Sequence, residues 1–380
     1  MKTAVKWISG IESLLVAASH GKEAGRTKVA AFDLDGTLIK TKSGAQFAKN
    51  SADWMWWDVT IPEKLQDLHS QGYKIVIFSN QNGLHSSARV EDFKRKANHI
   101  MTKILVPVYL FAAKEKDHYR KPMTGMWDYM LRESNGGVAV DIKQSFYVGD
   151  AAGRAAGWKP RMKKDHSCVD RKYADNLGLP FHTPEAYFTN EAEAAFSWGE
   201  FDPRAYTAPA SIFTPESTPL IPDNRPVELI ILVGPPASGK STFAKNHLKE
   251  YTWINQDALK TKQKCLKGCA EALTAKKPVV IDNTNGILAV RKEYISLAKS
   301  LHVPVRCFYF TASQGLCQHN NHYRALQLGE RSLLSRVVFN TYNSRFESPT
   351  LGEGFDEIKH IHFSFDGTEG ELATWKKWHN

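Results

Sequence analysis

Long hydrophobic runs are missing from this chain of 380 residues: no apolar stretch approaches the roughly 20 residues that a membrane-spanning helix needs. No secretory signal is visible either. Cysteine is scarce and odd in number, the five being Cys168, Cys265, Cys269, Cys307 and Cys317. Such a chain is expected to keep reduced thiols in an intracellular compartment. Cys265 and Cys269 stand four apart, as two metal ligands can. No matching Cys or His pair lies at zinc-site spacing, so a structural zinc is not expected. Tandem repeats and long low-complexity tracts are also absent. The start of the chain, Met1 to Arg26, has helical apolar spacing (Val5, Ile8, Ile11, Leu14, Leu15). It also carries Glu12 and Glu23 and has no Arg before Arg26. That pattern argues against a transit peptide and for a small docked or frayed helix.

What is present fits globular protein: 42% hydrophobic and 24% charged residues, in a length sufficient for two ordinary domains. The formal charge of +10 is uneven. Residues 1–190 hold 28 Lys and Arg against 20 Asp and Glu, which leaves most of the excess in the first half. Polyanionic backbones favour such surfaces because neutralising them releases counterions, although general solubility would also account for the balance.

Apolar, β-branched runs alternate with helical stretches. In the first half the runs are Val29–Phe32, Ile75–Phe78 and Phe146–Val148, with segments such as Val90–Ile100 reading as helix between them. In the second half they are Leu229–Val233, Val279–Ile281 and Val305–Phe310. The alternation predicts an α/β fold of two domains, each with a mostly parallel sheet flanked by helices. Between the halves, Phe201 to Pro226 contains Pro203, Pro209, Pro215, Pro219, Pro222 and Pro226, a composition that favours extended chain. The expected plan is an extension over residues 1–27, a domain over 28–200, a Pro-rich linker over 201–226 and a second domain over 227–380.

Ligands of open parallel sheets bind beyond the carboxyl ends of the strands. Three strand ends in the first half carry polar groups, Asp33, Ser79 and Asp150, and Lys121 lies between the last two. A carboxylate such as Asp33 can attack phosphorus and divide a hard displacement into two steps. Two anions repel, so the attack needs a cation. Asp33 and Asp150, with Asp35 close by, offer the oxygen ligands that Mg²⁺ prefers. Asp35 can also protonate a departing alkoxide and later activate water. Ser79 can bind a phosphoryl oxygen, and Lys121 can neutralise charge and orient Asp33. Asp33-Leu-Asp-Gly-Thr-Leu, Ser79, Lys121 and Val148-Gly-Asp150 resemble, in order, the motifs of the haloacid dehalogenase superfamily. That resemblance implies Asp33 as nucleophile and Asp35 as acid/base. The acid often found four or five residues after Gly-Asp is missing, since Arg154 and Ala155 stand there.

The second half carries a complete G-x-x-x-x-G-K-[ST] loop: Gly234, Pro235, Pro236, Ala237, Ser238, Gly239, Lys240 and Ser241, followed by Thr242. Its backbone N–H groups can cradle phosphates, Lys240 can reach the β and γ oxygens, and Ser241 can ligate Mg²⁺. Asp257, after a short apolar run, can accept a proton from an acceptor hydroxyl. Asp282, at the end of the next strand, can help the metal or orient the acceptor. Arg324, on an expected helix, can close over the phosphates.

The whole arrangement, from about Lys28 to about Phe365, resembles the polynucleotide kinase 3′-phosphatase family. The stretches that carry it are Lys74-Ile-Val-Ile-Phe-Ser-Asn-Gln81, Tyr119-Arg-Lys-Pro-Met-Thr-Gly-Met-Trp127, Phe146-Tyr-Val-Gly-Asp-Ala-Ala-Gly-Arg154, Ile281-Asp-Asn-Thr-Asn285 and Ser348-Pro-Thr-Leu-Gly-Glu-Gly-Phe355. The resemblance implies a haloacid dehalogenase-like Rossmannoid phosphatase followed by a P-loop kinase. The first would remove 3′-phosphates and the second would move the ATP γ-phosphate to 5′-hydroxyls, so that broken DNA ends become ligatable. It implies Mg²⁺ and ATP as cofactors, DNA ends as partner, Asp257 as kinase base and Arg324 as lid arginine. A monomer and a nuclear location are expected with it, a mitochondrial one staying open. Only about 27 residues precede the first strand, too few for the forkhead-associated module of animal relatives, so recruitment through phosphorylated scaffolds is not expected. Asn82 to Ser87 also lacks the basic residues expected there.

The segment from Arg154 to Lys172 has seven Lys and Arg against Asp165 and Asp170. Arg154, Lys163 and Lys164 are expected to guide the DNA backbone, with Trp158 read as core. Three rivals stand beside this reading: a small-molecule kinase paired with its opposing phosphatase, a non-enzymatic end binder, and an RNA-end healing enzyme.

Overall fold

The computed structural model describes residues 5–8, 10–21, 23–223, 227–329 and 332–380. The chain divides into two compact units, residues 1–202 with 377–380, and residues 203–376.

The strands of the first unit are, in chain order, β1 (Lys6–Ile8), β2 (Leu14–Ala18), β3 (Lys28–Phe32), β4 (Ile39–Lys40), β5 (Met55–Trp56), β6 (Tyr73–Asn80), β7 (Val108–Ala113), β8 (Phe146–Val148) and β9 (Phe181–His182). All but β4 and β5 form one sheet in the order β1-β2-β7-β6-β3-β8-β9. From β7 to β9 every pairing is parallel. The strands are apolar nearly throughout because helices cover both faces. In β3, Ala30 and Phe32 enter one core while Val29 and Ala31 enter the other. β3 lies between β6 and β8, so Asp33, Ser79 and Asp150 all fall at the same edge of the sheet.

The N-terminal segment is not a helix. β2 pairs antiparallel with β7, from Leu14 opposite Ala113 to Ala18 opposite Tyr109, and β1 pairs antiparallel with β2. The run Leu14-Leu-Val-Ala-Ala18 is short enough to read either way, and the open edge of β7 decides it by satisfying the backbone. Met1 to Ala4 lie outside the described residues. The end of the chain also departs from the expected boundaries. Trp378 is buried in the first unit, where its indole N–H donates to Asp175 (2.7 Å) and its ring stacks on Trp198.

The second unit has β10 (Phe213–Thr214), β11 (Leu229–Val233), β12 (Thr252–Ile254), β13 (Val279–Asp282), β14 (Val305–Phe310) and β15 (Glu357–Ile361). Their order is β10-β15-β14-β11-β13-β12, parallel except for β10. β10 comes from the segment expected to be linker, which therefore contributes an edge strand; Pro226 lies outside the described residues. In β11, Leu229, Ile231 and Val233 face one core and Ile230 and Leu232 the other.

Candidate active sites

At the carboxyl edge of the first sheet, three buried or partly buried carboxylates converge. Oxygens of Asp33, Asp150 and Asp170 all lie within 4.8 Å of one another. Lys121 bridges two of them: its Nζ donates to Asp33 (2.6 Å), to Asp170 (2.6 Å) and to the Tyr147 hydroxyl (2.8 Å). At the end of β6, Asn80 clamps the Lys121 backbone from both sides, its amide donating to the carbonyl (3.0 Å) and its side-chain carbonyl accepting the N–H (2.9 Å). Burial acts to strip the proton from Lys121, and the two carboxylates outweigh it, holding the ammonium above its ordinary value. One cation against three acids leaves the cluster short of positive charge. Burial accordingly pushes Asp33 up to about 7 against the pull of Lys121, and pushes Asp150 well above its ordinary value, with Asp33 and Asp170 adding to the rise. An oxygen-rich cradle this deficient in positive charge fits a hard divalent cation.

Asp35 stands apart from that cluster. Its side chain is 48% exposed and faces solvent, with one oxygen accepting from Lys96 (2.9 Å) and the other from Gln81 (2.7 Å). The sequence pattern counts Asp35 among the candidate metal ligands; the third carboxylate that the structure places beside Asp33 and Asp150 is Asp170, while Lys96 and Gln81 hold the Asp35 carboxylate outside that cluster. Gln81 also donates to Ser79 (2.9 Å), so the acid and the hydroxyl are tied together at the edge that carries Asp33. Gly36 makes the turn possible. Its φ is +92°, and a Cβ there would sit 2.4 Å from an Asp150 oxygen.

In the second unit the phosphate-binding loop joins β11 to the helix Lys240–His247. Gly239 and Ala237 both adopt positive φ, which turns the loop back on itself. The Lys240 ammonium donates to the carbonyls of Gly234 (2.9 Å) and Pro235 (2.6 Å) and to Ser238 (3.2 Å). Burial pushes Lys240 down to about 8; Asp282 resists and Arg324 adds to the fall. Those two charges are therefore felt at the loop. Ser241 is partly buried and Thr242 exposed on the helix. Pro236 lies between Pro235 and Ala237, the carbonyl of Ala237 accepting from Asn320 (3.1 Å) on the helix Gln314–Leu326 that carries Arg324. Asp282 is buried at the end of β13, in register with Leu232 of β11. Asp257 is exposed at the start of the short helix Gln256–Leu259, which Asn255 caps after β12. Parallel β11, β13 and β12 thus bring loop, Asp282 and Asp257 to one edge.

A family model described as polynucleotide kinase 3 phosphatase matches residues 28–188, and one described as an AAA domain matches residues 229–349. A bifunctional polynucleotide phosphatase/kinase of Schizosaccharomyces pombe is 38% identical over 381 residues, covering 100% of this chain and 89% of the relative. The chain belongs to the bifunctional polynucleotide phosphatase/kinase family. Polynucleotide 3′-phosphatases of Arabidopsis thaliana (42% identical over 176 residues, 24% of the relative) and Saccharomyces cerevisiae (28% over 214 residues, 87% of the relative) each cover 42% of it. Like its family, it is a phosphatase and a nucleotide-using kinase acting on polynucleotide.

Within this family member the basic segment after Asp150 needs correction. Arg154 is not a surface residue: its guanidinium is 4% exposed, paired with Asp165 (2.9 Å) and Glu185 (2.8 Å), and stacked 3.8 Å over the Trp158 ring. A buried Arg committed to two carboxylates braces the loop and is not available to a phosphate. Lys163 and Lys164 are exposed. The residues that sequence reasoning missed are Asp170, Lys96 and Gln81. Asp170 opens the helix Val169–Leu177, and its other oxygen accepts the Ala151 N–H (3.0 Å), so the strand-end turn itself fixes it beside Lys121. Gly149 allows this approach: a Cβ there would sit 2.5 Å from that of Asp170.

Proposed function

We propose that the first unit removes 3′-phosphates from DNA ends and the second phosphorylates 5′-hydroxyl ends with ATP, Mg²⁺ serving both. The observation that carries the reading is the separation of Asp35 from Asp33: one carboxylate is buried on Lys121, while the other faces solvent on Lys96 and Gln81. That division suits a nucleophile and a proton carrier. Asp33 and Asp150, flanked by Asp170, would hold the metal. When bound, Mg²⁺ supplies the positive charge that lets an anionic nucleophile meet an anionic phosphoryl group.

An Asp33 oxygen forms the new bond to phosphorus as the bond to the 3′-oxygen breaks, and Asp35 delivers a proton to that oxygen. Asp35 then takes a proton from water, whose oxygen displaces the Asp33 carboxylate from phosphorus and releases inorganic phosphate. Lys121 orients Asp33 throughout, and Ser79 binds a phosphoryl oxygen. In the second unit the loop N–H groups and Lys240 hold the β and γ phosphates, and Ser241 and Asp282 would hold the metal. Asp257 takes the proton of the 5′-hydroxyl as its oxygen attacks the γ-phosphorus, while Arg324 neutralises charge on the phosphates. Exposed Lys163 and Lys164 guide the DNA backbone. The protein acts as a monomer in the nucleus.

The test uses labelled 3′-phosphate and 5′-hydroxyl ends in DNA and RNA, single- and double-stranded, with Mg²⁺ and ATP. Asp33→Asn is expected to abolish phosphate removal and spare transfer, and Lys240→Ala the reverse. Loss of both activities from either variant in a folded chain would refute two independent sites; faster turnover of RNA than of DNA ends would move the assignment to RNA.

A further inference from the structure

Trp253 occupies the middle of β12, the edge strand of the second sheet, and is 43% exposed. Exposed apolar side chains are common singly and by themselves mean little. This one is pinned. Its indole N–H donates to an Asp282 carboxylate oxygen at 3.0 Å, and Asp282 is the buried acid whose charge reaches Lys240 in the phosphate-binding loop. Trp253 pairs in register with Val280, two residues before Asp282 on the same strand, so both side chains leave the same face of the sheet. The indole therefore runs toward the carboxyl edge, where Asp257 follows Ile254 by three residues. The loops at that edge are tied together, since the Gln256 N–H donates to the Asn283 side chain (2.8 Å). Ile287, which ends the loop after β13, and Leu288, which opens the next helix, are exposed there too.

The ring thus has one edge locked to a carboxylate of the phosphate-handling site and part of its surface open to solvent, on the strand that leads to Asp257. A wide aromatic plane held rigid loses little entropy when a flat ligand settles on it. Every nucleobase offers such a face, whatever its sequence. A small alcohol or sugar has none.

We propose that Trp253 is the acceptor platform of the second unit: its indole face stacks on the terminal base of the strand whose 5′-hydroxyl meets Asp257, while its N–H holds Asp282 in orientation. The inference rests on the kinase reading above and adds what makes that site prefer a polynucleotide end. Stacking supplies affinity without sequence preference, and the N–H couples acceptor binding to the acid beside Lys240.

The experiment measures phosphate transfer to 5′-hydroxyl DNA oligonucleotides by the full chain, wild type against Trp253→Ala and Trp253→Phe. Each is run with an intact and an abasic 5′-terminal nucleotide. For Trp253→Ala, KM for the intact acceptor is expected to rise roughly 5- to 150-fold, the range found when a stacking aromatic is removed. KM for ATP and the 3′-phosphatase activity should stay unchanged, which also reports that the chain is folded. The abasic acceptor should raise KM similarly in wild type and add nothing in Trp253→Ala. Trp253→Phe keeps a ring and loses the N–H, so KM should stay near wild type while kcat falls. Additive losses from the abasic end and Trp253→Ala, or a change confined to KM for ATP, would overturn the proposal. If wild type transfers no phosphate to any 5′-hydroxyl, the kinase reading itself fails, a distinct result.

Discussion

Replacing Asp33 by Asn should abolish phosphate removal and, in the presence of a chelator at pH 8, make the first unit more stable. Burial, the largest influence on Asp33, raises its pKa from 3.8 to about 7, Lys121 opposing. A raised acid binds its proton more tightly when folded than when unfolded. Stability from this group is therefore complete below about pH 4 and is lost as pH rises toward 7. With 1.36 kcal/mol per pKa unit, ionising Asp33 in the folded chain costs about 4 kcal/mol, an upper value because the site can relax. The amide of the variant never ionises, and its carbonyl still accepts from Lys121. For a domain of this size, about 4 kcal/mol corresponds to a melting shift of roughly 8–16 °C. Calorimetry in chelator should show the variant above wild type at pH 8 and level with it at pH 4. Added Mg²⁺ should close the gap at pH 8 by binding the wild-type carboxylate cluster. A variant that melts below wild type at pH 8 in chelator would show that partners hold the Asp33 carboxylate and that burial does not penalise it.

Asp170→Asn should act in the opposite sense. Both Asp170 oxygens accept, one from Lys121 and the Tyr147 hydroxyl and the other from the Ala151 N–H, so the amide –NH2 must face a donor at a cost of about 1–3 kcal/mol; an unchanged melting temperature would contradict its place in the cluster. Arg154→Ala should lower the melting temperature through a larger loss, about 3–5 kcal/mol from stranding Asp165 and Glu185. Changing Lys163 and Lys164 together to Ala should leave melting alone and flatten the salt dependence of DNA binding by about 1.5 logarithmic units per decade of salt. An unaltered slope would remove them from the interface. Gly36→Ala should eliminate phosphatase activity with kinase activity intact, since its Cβ would press on Asp150 at a φ of +92°; measurable phosphatase turnover would mean the turn can be rebuilt.

The parallel sheets and the residues at their carboxyl ends could be read from the sequence, because each apolar run leads straight into the residue or loop that matters: Phe32 then Asp33, Phe78 then Ser79, Val233 then Gly234. What could not be read depended on partners distant along the chain. β2 became a strand because β7, some 90 residues later, had an open edge. Lys96 lies in Glu91-Asp-Phe-Lys-Arg-Lys96, where every charge looks solvated, yet it is 10% exposed because its helix turns it onto Asp35. Arg154 failed for the same reason in reverse: composition counts a cation and does not count the Asp165 and Glu185 that consume it. Of the seven basic residues in that segment, Lys159 pairs with Glu191, Arg171 with Glu193, and Lys172 donates to the Asn380 carbonyl. The surface left to attract a polyanion is far smaller than the charge count suggested.

The two sites differ in electrostatics. In the first, three carboxylates surround one lysine, and burial raises the pKa of Asp33 and of Asp150, with the neighbouring carboxylates adding to the rise. Such a site would repel a phosphate until a cation joined it, so under the proposed function its attack on phosphorus depends on the metal. In the second, Lys240 is pushed down to about 8, with Arg324 adding to that fall. Burial is the main cause of that fall, and an incoming polyphosphate would favour the charged ammonium directly. A mutation that lowers metal affinity should therefore raise the metal requirement of phosphate removal far more steeply than that of phosphate transfer. The missing acid after Gly-Asp sharpens the same point. Asp170 replaces it from twenty residues away, but arrives already bonded to Lys121 and to the Ala151 N–H. It could flank a metal with only part of its oxygen capacity, so on the proposed reading cation binding would turn on Asp33 and Asp150.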